Sequence, residues 1–269
     1  MEMTTTRKDA VSGQFYPSDP KEIIKMFEHY NQILDKHMKD KSILALKPRA
    51  VVVPHAGYVY SAFTANLAMR LLKNSHPKRV IIIGPSHRVY LKGSSVSDYD
   101  QFETPFGNVP IDKAVVQELK EKFGLSFVPD AHHEHSTEVQ VPFIKYYLPD
   151  AKIVEIVYGD EDPAHLAQVI DYLLNDPDNA VVISTDLSHY YDLEKANLLD
   201  SYCLQAVEKL DPTYLDKGCE ACGKIGLEAM ILDAKKRGLK PVLLDYRTSA
   251  DASGDKEKVV GYMSAAFIE

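Results

Sequence analysis

Three β-branched apolar runs in this chain are each followed within a few residues by a histidine. Residues 51–53, three valines, precede His55; residues 80–83, a valine and three isoleucines, precede His87; residues 181–183 precede Asp186 and His189. Imidazole is the commonest metal ligand and the one side chain whose unperturbed pKa lies near neutrality. In open α/β sheets the ligand crevice lies past the carboxyl ends of the parallel strands, so imidazoles delivered there converge from distant stretches of sequence. The pattern predicts a mononuclear metal site with His55 and His87 as ligands, carried by strands expected to be neighbours. One histidine at a strand end usually caps a turn, but two delivered to one edge shift the reading towards ligation.

Asp186 and His189 are three residues apart, the spacing that sets two side chains on one face of a helical turn. A carboxylate steering an imidazole is the arrangement a general acid/base needs; the plainer reading is that Asp186 caps the next helix with His189 as its partner. In the run His132, His133, Glu134 and His135, consecutive side chains diverge. His135, with Glu138 on the helix behind it, is therefore expected to reach the pocket as a further catalytic candidate, and the others to be solvated. Cys219 and Cys222 form a CxxC bracketed by Gly218 and Gly223. A structural zinc site needs two more ligands and a redox pair needs a thioredoxin-like unit, so packing and helix-start roles are the favoured reading. Tyr58, Tyr60 and Tyr190 are candidates for hydrogen bonds to a substrate, although in a chain with 16 tyrosines closeness in sequence carries little weight.

Placing these groups at one edge takes strands alternating with helices. Ser18, Asp19 and Pro20 begin a helix whose inner stripe is Ile23, Ile24, Phe27, Ile33 and Leu34. Strands are expected at 51–53, 80–83, 152–158 and 181–183, with helices over 61–72, 112–123 and 163–174 among them. Helices over 193–207 and 224–236 lead to closing strands at 242–246 and 259–267. Thr137, with Gln140 reaching back, is expected to cap a helix that ends near Tyr147, before Pro149. The Gly-, Ser- and Asp-rich stretch from His87 to Pro110 reads as a hairpin or long excursion of the kind that covers a site. The expected fold is one α/β domain over residues 1–269, three-layer α/β/α around a central mixed, mostly parallel sheet.

With 269 residues, 45% of them hydrophobic, the chain can bury a sizeable core. Its net charge of -8, from 31 basic and 39 acidic residues without a long basic stretch, argues against a nucleic-acid partner. The amino terminus is polar and no apolar run approaches the roughly 18 residues of a membrane span, so a soluble, cytoplasmic protein without a membrane partner is expected. Three cysteines cannot build a disulfide framework, and an intracellular setting would keep them reduced.

Phe15-Tyr16-Pro17, Pro54-His55-Ala56-Gly57-Tyr58-Val59-Tyr60-Ser61, Gly84-Pro85-Ser86-His87, Glu134-His135-Ser136-Thr137-Glu138-Val139-Gln140, Ser184-Thr185-Asp186-Leu187-Ser188-His189 and Cys222-Gly223 follow one another in this order. Together they resemble the Memo family over nearly the whole chain. The resemblance implies a fold similar to class III extradiol ring-cleaving dioxygenases and, in archaea and bacteria, a functional link to a radical-SAM protein. It implies that His55 and His87 fall where those proteins bind iron or copper, and His189 where the dioxygenases keep an acid/base histidine. In the dioxygenases a carboxylate near the carboxyl terminus completes the ligand set, and in animal Memo proteins a cysteine stands there. Residues 246–255 contain no cysteine, and alignment sets Ala252 at that position. Asp251 is then the expected third ligand, with Ser249 or a water as fallback, and the missing thiolate shifts preference from Cu(I) towards Fe(II) or Zn(II).

The function expected from these residues and this resemblance is a metal-binding, dioxygenase-like oxidoreductase. Fe(II) held by His55, His87 and Asp251 serves a small phenolic or diol-type substrate, with His189 moving the proton under the influence of Asp186. Zinc in the same ligands would instead activate water for hydrolysis. The reading from another class is a non-catalytic adaptor, or a metal-binding protein without turnover, that uses the pocket for metal or a phosphopeptide. Candidate partners are accordingly a small-molecule substrate, a peptide and a second copy of the chain in a homo-oligomer.

Overall fold

The computed structural model describes residues 4–269. The first half of the chain runs β1 (Thr6–Arg7), α1 (Pro20–His37), β2 (Pro48–Val53), α2 (Tyr58–Leu72), β3 (Arg79–Pro85), β4 (Ser94–Val96), β5 (Gln101–Phe102) and β6 (Val109–Pro110). Next come α3 (Lys113–Phe123), α4 (His135–Glu138), α5 (Val141–Tyr147), β7 (Lys152–Tyr158), α6 (Pro163–Leu174), β8 (Asn179–Ser184) and β9 (His189–Tyr191). The chain ends with α7 (Leu193–Lys209), α8 (Lys224–Arg237), β10 (Lys240–Thr248), α9 (Ala250–Ser253) and β11 (Val259–Ile268).

The main sheet has the order β10-β11-β2-β8-β3-β7-β4, with β9 pairing β11, and β1-β5-β6 form a small second sheet. β2, β8, β3 and β7 are parallel, whereas β4, β10 and β11 join antiparallel at the two edges, so the sheet is mixed. α2 packs on β2, β11 and β10 with α1 and α5 behind it, while α6 and α8 pack together on β8. The β2-α2-β3 and β7-α6-β8 crossovers run in opposite directions along the sheet, which puts their helices on opposite faces when both are right-handed. Covering both faces explains the unbroken apolar runs: Val51, Val52, Val53, Val80, Ile81, Ile82 and Ile83 are each 0% exposed.

β2 and β3 are not neighbours, contrary to expectation, because β8 inserts between them with Val53 opposite Ser184 and Ile83 opposite Ile183. The carboxyl ends of three consecutive strands therefore lie side by side. The helix expected from Thr137 to Tyr147 is two short helices, and its first cap is Glu134, whose side chain accepts from Ser136 N–H. Thr137 and Gln140 are buried and turn to Glu155 and Ser184 instead. The excursion after His87 adds β4 to the outer edge of β7 and pairs β5 with the amino-terminal β1. Among the described residues no helix is long and apolar enough to cross a membrane.

A buried ion pair ties the amino terminus to this frame. The Glu138 carboxylate meets Arg7, both side chains 0% exposed, and also accepts from Ala10 N–H, Val11 N–H and the Tyr16 hydroxyl. Removing either partner would strand a buried charge at a cost of about 3–5 kcal/mol. Glu138 thus serves the fold and does not face the pocket.

Candidate metal centre

β2 ends at Val53, and Pro54 carries His55 over the sheet edge, where it is 2% exposed. β3 delivers His87, and the two imidazole centroids stand 5.2 Å apart at 78°. The third group comes from the turn before α8. A Cβ on Gly223 would lie 2.5 Å from the Thr185 Cβ and 2.8 Å from the Ser184 carbonyl oxygen, so only glycine lets this turn press against the end of β8. Gly223 N–H donates to Thr185 Oγ1 at 2.8 Å, and Cys222 Sγ lies 3.2 Å from His55 Nε2. One donor atom each from His55, His87 and Cys222 falls within 4.8 Å of the others.

The hydrogen bonds define which imidazole nitrogen is free. Ser184 Oγ donates its one proton to the Ser136 carbonyl at 2.5 Å and accepts from Gln140 Nε2 at 2.9 Å. It must then accept from His55 Nδ1 at 3.0 Å, which leaves His55 Nε2 unprotonated and facing Cys222. His87 Nδ1 donates to Glu134 Oε1 at 3.0 Å while its backbone N–H donates to Oε2 at 2.6 Å, so Nε2 is free there too. This is the way in which an outer carboxylate or hydroxyl orients a metal-binding histidine.

Burial, and then the neighbouring His87 and His135, hold the His55 imidazole well below its ordinary pKa, so it stands neutral. Burial works against the charge on Glu134, yet the nearby His135 imidazole and hydrogen bonds from the His87 side chain and from the His87 and Ser136 N–H groups hold its carboxyl far below the usual range. Burial and then the Asp186 carboxylate push the Cys222 thiol up to about 12. A cation has to displace the thiol proton to use this ligand.

Asp186 braces the cluster rather than steering His189. Its carboxylate accepts from His55 N–H at 2.7 Å, and its own N–H donates to Cys222 Sγ at 3.3 Å. Residues 185–188 are irregular and His189 begins a strand, so the helical turn implied by the three-residue spacing does not form, and Asp192 is the cap of α7. His189 is half-buried, with its ring edge-to-face on Tyr190 at 5.9 Å. His135 does reach the cluster, 4.6 Å from His87 and 5.4 Å from His55 between centroids, and packs on Phe15 at 4.8 Å. Its Nδ1 is 3.0 Å from Glu134 Oε1 but out of line for a hydrogen bond.

Other candidates lie elsewhere. Asp251 is exposed on α9, and its carboxylate accepts from Thr248 N–H at 2.8 Å; it joins no metal-binding cluster among the described residues. Tyr58 is buried beside Tyr16 and Phe143, with its hydroxyl donating to the Val139 carbonyl at 2.7 Å. Tyr60 and Tyr190 are exposed, Tyr190 with its ring against His189. His132 is buried between Glu155 and Ser95 and Glu134 beneath His87, so neither is solvated, whereas His133 is exposed. Cys219 bonds Cys203 of α7 in a disulfide, correcting the expectation of three reduced thiols and leaving Cys222 free. Sequence reasoning missed Cys222, Glu134 and Ser184 as site residues; the signals for Cys222 were its place in the CxxC and the glycine that follows it.

A family model described as Memo-like protein matches residues 7–266. A MEMO1 family protein of Aquifex aeolicus (strain VF5) is 35% identical over 278 aligned positions, which cover 97% of this chain and 99% of that protein. Another, from Methanobrevibacter smithii, is 34% identical with the same coverage, and one from Thermoplasma volcanium is 30% identical over 96% of this chain and 97% of its own. With matches of this extent across bacteria and archaea, the chain belongs to the Memo family.

Proposed function

We propose that this chain is a mononuclear metal-binding protein in which His55, His87 and Cys222 hold the ion, and that it acts as an oxidoreductase on a small phenolic or diol-type substrate. The observation that carries the reading is the convergence of two imidazoles and a thiol, one donor atom each within 4.8 Å, with the Nδ1 of both rings already engaged. Such a donor set suits Fe(II), Zn(II) and copper alike, and the presence of Cys222 removes the reason for disfavouring Cu(I). When bound, the ion supplies Lewis acidity and, for iron or copper, a change of oxidation state.

The chain's own residues account for the rest. Ser184 and Glu134 orient the two imidazoles, and Asp186 holds the His55 and Cys222 turns together. No hydrogen bond joins His189 to Asp186 among the described residues, and its half-buried ring is free to hold or move a proton at a substrate hydroxyl.

The test is elemental mass spectrometry on protein purified without oxygen and without a metal-binding tag. Near-stoichiometric iron or copper in the wild type, lost in His55→Ala, His87→Ala and Cys222→Ser, supports the centre, and oxygen uptake with diols supports the reaction. Stoichiometric zinc moves the reading to hydrolysis by metal-activated water. Protein that takes up no metal after Fe(II) is added, yet binds peptide, is an adaptor, and the proposal fails.

A further inference from the structure

In the ladder of β9 with β11, His189 pairs Val260 and Tyr191 pairs Val259, so Tyr190 is an extra residue with no partner. Its φ is +66°, the left-handed conformation that glycine normally supplies at such a bulge. Two other non-glycine residues among those described share a positive φ, His76 and Leu210, and both end helical turns, where this conformation is an ordinary stop. Tyr190 stands inside a strand, and its side chain is 72% exposed, so little packing in the free protein offsets the strain.

The surroundings indicate what could offset it. Five large hydrophobic residues are exposed among those described: Val59, Tyr60, Tyr90, Tyr190 and Leu198. The first four each lie within five residues of His55, His87 or His189. Tyr262, 1% exposed, is close enough to Asp186, Tyr60 and Tyr190 for their charged forms to raise its hydroxyl pKa, after burial itself. The polar groups of the edge, His55, His87, Cys222 and Asp186, meet one another, and Tyr190 is the exposed aromatic whose ring meets a site histidine, His189, edge-to-face at 5.9 Å.

We propose that Tyr190 determines the specificity of this site: the bulge holds its ring out beside His189 so that a flat aromatic ligand, with a hydroxyl directed at the ion, stacks against it. A glycine would serve the turn alone, and with less strain. The tyrosine instead provides a rigid stacking face, which costs little side-chain entropy to order. Stacking in the complex then offsets strain that the free chain carries. The proposal rests on the metal-centre reading, because the ion fixes the hydroxyl end of the ligand.

The experiment compares the wild type with Tyr190→Phe, Tyr190→Gly and Tyr190→Ala, each loaded with redox-inert Zn(II) and titrated with 4-nitrocatechol as the flat aromatic probe. Wild type and Tyr190→Phe should bind alike, and the glycine and alanine variants about tenfold more weakly. Zinc uptake should be equal in all four. In the metal-free proteins Tyr190→Gly should melt at or above the wild type, because the strain is relieved without the loss of packing. Equal probe binding in all four, or a glycine variant that melts well below the wild type, overturns the proposal. Wild type that takes up zinc but not the probe overturns the stacking role and leaves the metal centre standing; wild type that takes up no zinc overturns both.

Discussion

On one flank of the sheet edge, His55 and His87 are each held through Nδ1, by the Ser184 hydroxyl and by the Glu134 carboxylate. On the other flank, His189 shares no hydrogen bond with Asp186 among the described residues, and Tyr190 beside it is strained and faces solvent. The first flank has its imidazoles oriented before anything arrives, as the metal-binding proposal requires. The second keeps its groups unengaged, which suits contact with a ligand that comes and goes. The same contrast separates two buried carboxylates. Glu134 is held ionised by several donors, whereas Asp233 on α8 shares Arg237 with Asp171 and leaves Oδ2 without a partner. Burial, only partly offset by Arg237, pushes the Asp233 carboxyl up to about 6.

If the first flank alone binds the ion, Cys222→Ser and His55→Ala should weaken metal binding more than about 100-fold in a chelator competition, beyond the usual effect of outer-shell changes. Asp251→Asn should leave the same titration unchanged, and a loss there would restore Asp251 to the ligand set. His189→Asn should lower turnover by about 10²–10⁴-fold while the metal content stays intact; loss of metal would mean that the two flanks are not separate. Glu134→Gln should weaken metal binding by about 10–100-fold, because an amide cannot accept from His87 through both of its heteroatoms.

The smallest nonzero effect is expected at Asp233. Its folded pKa of about 6 lies above the unfolded value of 3.8, so the folded state binds the proton more tightly and stability falls as pH rises from about 4 to about 6. Asp233→Asn should therefore gain about 1–2 kcal/mol in urea unfolding at pH 8 and nothing near pH 4. Glu134 has the opposite sign: its contribution is complete above the unfolded value of 4.5 and is lost as pH falls towards its depressed folded pKa. A Glu134→Gln variant whose stability deficit does not shrink on acidification would show that this carboxylate is not held ionised.

Much of this contrast was legible before folding, and part was not. His55 and His87 follow apolar runs directly, so period and composition sufficed to find them. Cys222 does not follow a strand; it enters from the turn before α8, and its place depends on the missing Cβ of Gly223 against Thr185. Asp251 lies outside the cluster for a reason of sheet order. β10 is separated from β2 by β11, about 10 Å away at ordinary strand spacing, and the carboxylate is used by Thr248 N–H. Asp186 and His189 misled because a three-residue spacing means a shared face only within a helix, and residues 185–188 are not helical.

Local sequence dictated the six long strands, most of the helices and the two histidines, because apolar periodicity and the residues that begin and end helices act over a few positions. The tertiary structure supplied the thiol, the free nitrogen of each imidazole, the disengagement of Asp186 from His189 and the strain at Tyr190. Each of these depends on a partner brought in from a distant part of the chain: β8 between β2 and β3, Glu134 under His87, and β11 against β9.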